Sequence, residues 1–105
     1  MTMNRQIFKE IQMLKRRLLP NEKVILFGSQ ARGDAREDSD WDLLIVVNSD
    51  STNLNDEIKY SYPFTKLGWI YNIDLNVLLY SKSDWGKRDF TPFYKNVLND
   101  GIEIN

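Results

Sequence analysis

A chain of 105 residues, 42% of them hydrophobic, is sized for one domain around one core, since chains of this length bury roughly 60% of their unfolded surface. Fourteen basic against fifteen acidic residues give a net charge of −1, so no global field draws the chain onto nucleic acid and such a partner is not expected. Without Cys there is no disulfide framework, Met1-Thr2-Met3-Asn4 lacks the apolar core of a signal peptide, and the longest apolar run, Leu43–Val47, is too short to span a bilayer. A cytoplasmic protein without a membrane partner is expected.

From Asn4 to Leu19, Ile7, Ile11, Leu14 and Leu18 recur at helical spacing, with Phe8 widening the stripe. Lys15, Arg16 and Arg17 crowd the last turns, where cations suit the helix dipole, and read as a solvated face. Pro20 ends this helix, and Asn21-Glu22-Lys23 turns into a strand at Val24–Phe27. Gly28 lets the backbone approach a ligand, and Ser29 is a suitable N-cap for a helical turn at Gln30–Arg32 whose free N–H groups can cradle phosphate. Arg32 is expected to pair with an acid near the turn. The loop Asp34–Ser39 carries Arg36, Glu37 and Asp38, and Ser39 is expected to fix it by a local hydrogen bond.

Trp41–Val47 is apolar on both faces, as a covered central strand should be. A helix is expected from about Asn53, kinked or divided at Pro63 and closed by Gly68. Of the aromatic cluster Tyr60, Tyr62, Phe64, Trp69 and Tyr71, most should be core and some exposed. Ile73–Tyr80 is a third strand, Lys82–Arg88 a helical turn capped by Ser81 or Ser83, and Thr91-Pro92 the start of a helix burying Phe93, Tyr94, Val97 and Leu98. Gly101 suits a C-terminal cap, and Ile102-Glu103-Ile104 a last edge strand. The expected fold class is α/β (α+β), a small mixed β-sheet flanked by helices.

The chemistry concentrates at the mouth of the Trp41–Val47 strand. Period-two alternation puts Asp40 and Asp42 on one face with Cα atoms roughly 6.5–7 Å apart and Trp41 on the other. At about 4 Å and an effective dielectric near 20, two such charges repel by ~4 kcal/mol, a penalty that a divalent cation converts into binding. Oxygen ligands favour Mg²⁺ or Mn²⁺, and a chain with neither His nor Cys excludes zinc and thiolate sites.

Gly28-Ser29-Gln30-Ala31-Arg32-Gly33 followed by Ser39-Asp40-Trp41-Asp42-Leu43 resembles the G-S-x-A-R-G…S-D-x-D-L signature of the minimal nucleotidyltransferases, in the DNA polymerase beta-like nucleotidyltransferase superfamily. Ile73-Asp74-Leu75 fits the family's third carboxylate. The resemblance implies the nucleotidyltransferase fold and a catalytic, metal-holding set of Asp40, Asp42 and Asp74 around two Mg²⁺ ions (Mn²⁺ in their place is allowed). It further implies nucleotide binding by Gly28, Ser29, Arg36 and Ser39, with a nucleoside triphosphate, ATP for preference, as substrate. Two ions about 3.5–4 Å apart suit an in-line displacement at phosphorus.

Larger members of the superfamily carry an added acceptor-binding domain, which this length does not hold. The acceptor is therefore expected on another chain, on a dimer partner in a homo- or hetero-oligomer, or as a bulky substrate in an open cleft. Minimal nucleotidyltransferases resemble one half of a toxin–antitoxin pair whose other half is a helical HEPN protein, the antitoxin adenylylating a tyrosine of the toxin. The alternatives are a non-catalytic module that neutralises a HEPN toxin by contact, or transfer to a small molecule such as an aminoglycoside or to RNA.

Overall fold

The computed structural model describes residues 4–36 and 39–105. Met1 to Met3, read above for a signal peptide, and Glu37 and Asp38 of the charged loop lie outside the described residues.

Helix α1 (Arg5–Leu18) starts where the Asn4 side chain accepts hydrogen bonds from the Gln6 and Ile7 N–H groups at 3.1 and 3.3 Å, satisfying two of the donors that every helix start leaves open. Ile7, Ile11 and Leu14 are buried, as their spacing predicts. Arg16 and Arg17 are exposed, but Lys15 is buried and its Nζ lies 3.4 Å from the Pro20 carbonyl oxygen. Its methylene stem lies along the core while the amine reaches a carbonyl of the chain, so the basic trio is not wholly a solvated face.

The chain then runs through β1 (Lys23–Phe27), α2 (Ser29–Arg32), β2 (Trp41–Val47), α3 (Leu54–Asp56), a π-helical turn (Glu57–Ser61), α4 (Tyr62–Ile70), β3 (Leu75–Ser81), α5 (Lys82–Gly86), α6 (Pro92–Asp100) and β4 (Ile102–Glu103). Among the described residues four strands form one mixed sheet in the order β3-β2-β1-β4. β2 pairs antiparallel with β1 and parallel with β3, and β4 adds antiparallel to the far side of β1.

Alternation along the strands divides the core in two. Val24, Leu26, Trp41, Leu43, Ile45, Val47 and Leu75 pack with Ile7, Ile11 and Leu14 of α1 and Phe64 of α4. Ile25, Leu44 and Val46 meet Trp85 of α5 and Val97 of α6 on the other face. Covered on both sides, β2 is an unbroken apolar run after Asp42, and Asp42 belongs to the face of Leu44 and Val46.

Pro63 divides the helical region as expected, with a specific consequence. It has no N–H for the carbonyl one turn back, and the preceding turn is wound in π register, the Tyr62 N–H reaching the Glu57 carbonyl. Gly68 does not close the region: α4 continues to Ile70, and Gly68 is buried within it. Its role is close packing, because a β-carbon there would lie 2.9 Å from Leu75 Cβ and 3.0 Å from the Ile73 carbonyl oxygen.

The aromatic cluster splits as expected. Phe64 is fully buried and Tyr60 and Tyr71 pack against the core, whereas Tyr62 and Trp69 are exposed. Ser81 and Thr91 cap α5 and α6 through their hydroxyls, accepting from Asp84 and Tyr94 N–H at 3.0 and 3.2 Å. Leu98 departs from its expected burial and is 63% exposed. One residue past the buried Val97, it is turned about 100° around the helix and clears the sheet.

Candidate active site

The site is assembled where β1 ends and β2 begins. After Phe27 the backbone turns through Gly28 at φ 76°, ψ −158°, a conformation open to glycine. Its carbonyl accepts from the Ala31 and Arg32 N–H groups, each at 3.1 Å, and so starts α2. Gly28, not Ser29, is therefore the N-cap, and Ser29 is the first residue of the helix. The β-region cap conformation that Ser29 was expected to adopt is displaced by the glycine turn ahead of it. α2 ends at Gly33 in the left-handed region at φ 82°, whose N–H bonds the Ser29 carbonyl at 3.0 Å.

Short bonds return the loop to β2. The Ser39 hydroxyl accepts from the Arg36 N–H at 2.7 Å, and the Ser39 N–H donates to the Arg36 carbonyl at 3.0 Å. Ser39 thus fixes the loop as its position predicts. Gln30, buried in α2, donates through Nε2 to the Ser39 carbonyl at 3.3 Å and ties the turn to the residue before Asp40. Arg32 pairs with Asp34 at 3.3 Å, both exposed, a geometry worth little in water. The Arg36 side chain is exposed.

Asp40 is exposed and Asp42 half-buried. Trp41 between them is buried on the opposite face, as alternation requires. Asp42 sits against the glycine turn: a β-carbon built on Gly28 would collide with Asp42 Oδ2. Asp74 lies one residue ahead of β3, which starts at Leu75, two residues later than expected. Its carbonyl accepts from the Trp41 N–H at 2.8 Å, and it is exposed. The parallel ladder pairs Trp41 with Leu75 and Asp42 with Asn76, so Asp74 stands at the level of Asp40.

Asn76 is the residue the motif reading missed. Its Nδ2 donates to Asp40 Oδ2 at 3.1 Å and to Asp42 Oδ1 at 3.2 Å, drawing the two carboxylates together. Period-two alternation from Asp74 carried the signal, because Asn76 must share the face that Asp74 opens. Among the described residues no three acidic side chains are gathered closely enough to hold a metal ion. The structure therefore joins Asp40 and Asp42 through Asn76, and leaves Asp74 beside that pair rather than inside a closed three-carboxylate cluster.

The donor set fits a hard divalent cation: two carboxylates on one face supply oxygen alone, and the bare α-carbon of Gly28 keeps the space beside Asp42 free of a side chain.

Comparison with known proteins gives a family and a fold. The family described as "Nucleotidyltransferase domain" matches residues 5–103. Two relatives come from Methanocaldococcus jannaschii. One, named "Putative protein adenylyltransferase MJ0604", is 39% identical over 80 residues, 76% of this chain and 74% of the relative. The other, "Putative protein adenylyltransferase MJ0141", is 36% identical over 83 residues, 79% of this chain and 78% of the relative. Among solved structures, a toxin–antitoxin with AMP-PNP shares the fold at a TM-score of 0.64 with 20% identity, covering 93% of this chain and 72% of that one. A Shewanella oneidensis MNT antitoxin in complex with a tri-AMPylated HEPN toxin does so at 0.59 with 17% identity, covering 96% and 71%. With the glycine turn, the paired carboxylates and a family match over nearly its whole length, the chain belongs to the nucleotidyltransferase domain family, as its resemblance to the minimal nucleotidyltransferases implied.

Proposed function

We propose that this chain transfers AMP from ATP to a hydroxyl group on a partner protein, a helical HEPN-type protein with which it forms a toxin–antitoxin pair. The observation that carries the proposal is the carboxylate pair Asp40–Asp42 held against the Gly28 turn at one end of the sheet. The choice of a protein acceptor is supported by the names of the two archaeal relatives. The choice of a HEPN partner is supported by the fold shared with the Shewanella antitoxin.

In this reading the Gly28-Ser29 turn holds the β- and γ-phosphates through backbone N–H groups and the serine hydroxyl. Arg36, whose N–H donates to the Ser39 hydroxyl, adds a cationic contact to them. Asp40 and Asp42 hold Mg²⁺, with Asp74 contributing on the acceptor side. Bound there, the metal neutralises charge on the triphosphate and on the oxygens exchanged at phosphorus. The acceptor oxygen bonds to the α-phosphorus as the bond to the α,β-bridging oxygen breaks; pyrophosphate leaves, and the acceptor's proton passes to the exposed Asp74. Positioning and charge neutralisation supply most of such catalysis.

The test is label transfer from [α-³²P]ATP to the co-expressed partner, with and without Mg²⁺. Label on the partner in the wild-type reaction, lost with Asp42→Asn, is the expected result. A complex that forms tightly yet carries no label under any condition would replace the enzymatic reading with neutralisation by contact.

A further inference from the structure

The Asn76 side-chain amide nitrogen lies within hydrogen-bond distance of both carboxylates proposed to hold metal. Asp40 Oδ2 and Asp42 Oδ1 lie 3.1 and 3.2 Å from the same Nδ2. The placement is built into the fold, since the parallel ladder sets Asn76 directly across from Asp42 and β3 is the outer strand of the sheet. Two carboxylates this close repel each other, and hydrogen bonds to charged acceptors are among the stronger ones. An amide nitrogen only donates; it offers a metal ion no electron pair. The amide in this orientation and a cation therefore make the same claim on the same two oxygens.

We propose that Asn76 is a stand-in for the cation: its amide keeps Asp40 and Asp42 paired while no metal is bound and releases them when a divalent ion arrives. The inference rests on the reading that this pair holds metal, and it makes Asn76 a positioning residue rather than a ligand. Two consequences separate it from a merely structural asparagine. Removing the amide takes away a competitor, so Asn76→Ala binds the cation more tightly, on the order of three- to tenfold, the factor implied by one net hydrogen bond no longer broken on binding. The metal-free variant also has an unrelieved pair of like charges, so Mg²⁺ raises its melting temperature more than it raises that of the wild type.

The experiment uses the full chain without nucleotide. Mn²⁺ affinity is measured by electron paramagnetic resonance of the free ion for the wild type, Asn76→Ala and Asp42→Asn. In parallel, the Asn76 side-chain NH₂ resonances of the wild type are followed by ¹⁵N NMR during a Mg²⁺ titration. The expected results are binding by the wild type, loss in Asp42→Asn, tightening in Asn76→Ala, and Asn76 NH₂ signals that shift as the ion is added. Equal or weaker Mn²⁺ binding by Asn76→Ala, or NH₂ signals that stay fixed while the ion binds, overturns the stand-in and leaves the metal site in place. Should the variant fail to fold, the wild-type titration decides alone. Absence of Mn²⁺ binding in every protein overturns the metal assignment and the stand-in together.

Discussion

The α-carbon of Gly28 abuts the carboxylate of Asp42, so closely that a β-carbon there would collide with Asp42 Oδ2 and lie 3.3 Å from its Cγ. Gly28→Ala therefore meets two penalties. The backbone at φ 76°, ψ −158° lies in a region essentially reserved for glycine and costs another residue about 1–3 kcal/mol, and the new methyl must displace the carboxylate. Urea denaturation should show the first, and label transfer should fall by about two orders of magnitude, the scale of an ångström-sized misplacement of a reacting group. Gly33 provides the control, because φ is 82° there as well but a β-carbon would meet nothing within 4 Å. Gly33→Ala, in the left-handed helical region at ψ 11°, should lose about 1–2 kcal/mol and keep its transfer activity.

Asp74 differs from the other two acids in its surroundings. Asn76 bridges Asp40 and Asp42, while Asp74 is anchored to β2 through its carbonyl and leaves its side chain exposed. If it serves the acceptor hydroxyl, Asp74→Asn should lower kcat about 10²–10³-fold, within the range of general base loss, with little change in the KM for ATP. Asp40→Asn should disturb both constants. Steady-state kinetics at fixed partner concentration and varied ATP separates the two outcomes, and a raised KM for ATP in Asp74→Asn would move that residue to the nucleotide side.

What the sequence disclosed and what it withheld follow from the range of the forces involved. Trp41–Val47 was legible because a strand covered on both faces must be continuously apolar, and the caps at Ser81 and Thr91 because their hydroxyls act within three residues. The Gly28 turn and Asp40–Asp42 were legible from spacing and motif together. Three features depend on how separate elements pack and were misread or missed: the packing of Gly68 on Leu75, the burial of Lys15 with its reach to the Pro20 carbonyl, and the bridge from Asn76 to Asp40, thirty-six residues away. The Gly28 cap was local, but there serine propensity competed with a glycine conformation and lost.

The divided aromatic cluster gives a stability contrast within one helix. Phe64 is completely buried between α4 and the sheet, whereas Trp69, five residues on, is 65% exposed. Phe64→Ala should cost about 3–5 kcal/mol through lost burial and an unfilled cavity. Trp69→Ala should stay within about 0.5 kcal/mol unless a partner covers it. Urea midpoints of the isolated chain give the first comparison. Repeating the Trp69→Ala measurement with the co-expressed partner asks whether that exposed face lies in the complex, since a residue buried on association would then cost affinity without having cost stability.

Ser39 holds the loop by accepting the Arg36 N–H at 2.7 Å and donating its own N–H to the Arg36 carbonyl at 3.0 Å. Ser39→Ala removes only the first of these bonds, a net loss of about 0.5–1.5 kcal/mol where the group is partly solvated. Its global effect should be small, but amide exchange at Arg36 should accelerate because that N–H no longer has a protein acceptor. If Arg36 reaches the phosphates from this latched loop, the variant should raise the KM for ATP several-fold, and Arg36→Ala should raise it at least as much. The double variant should be no worse than Arg36→Ala alone, because the latch acts only through the arginine it positions. Additive losses in the double variant would show that the serine hydroxyl touches the nucleotide itself, exchanging its bond to the Arg36 N–H for one to phosphate.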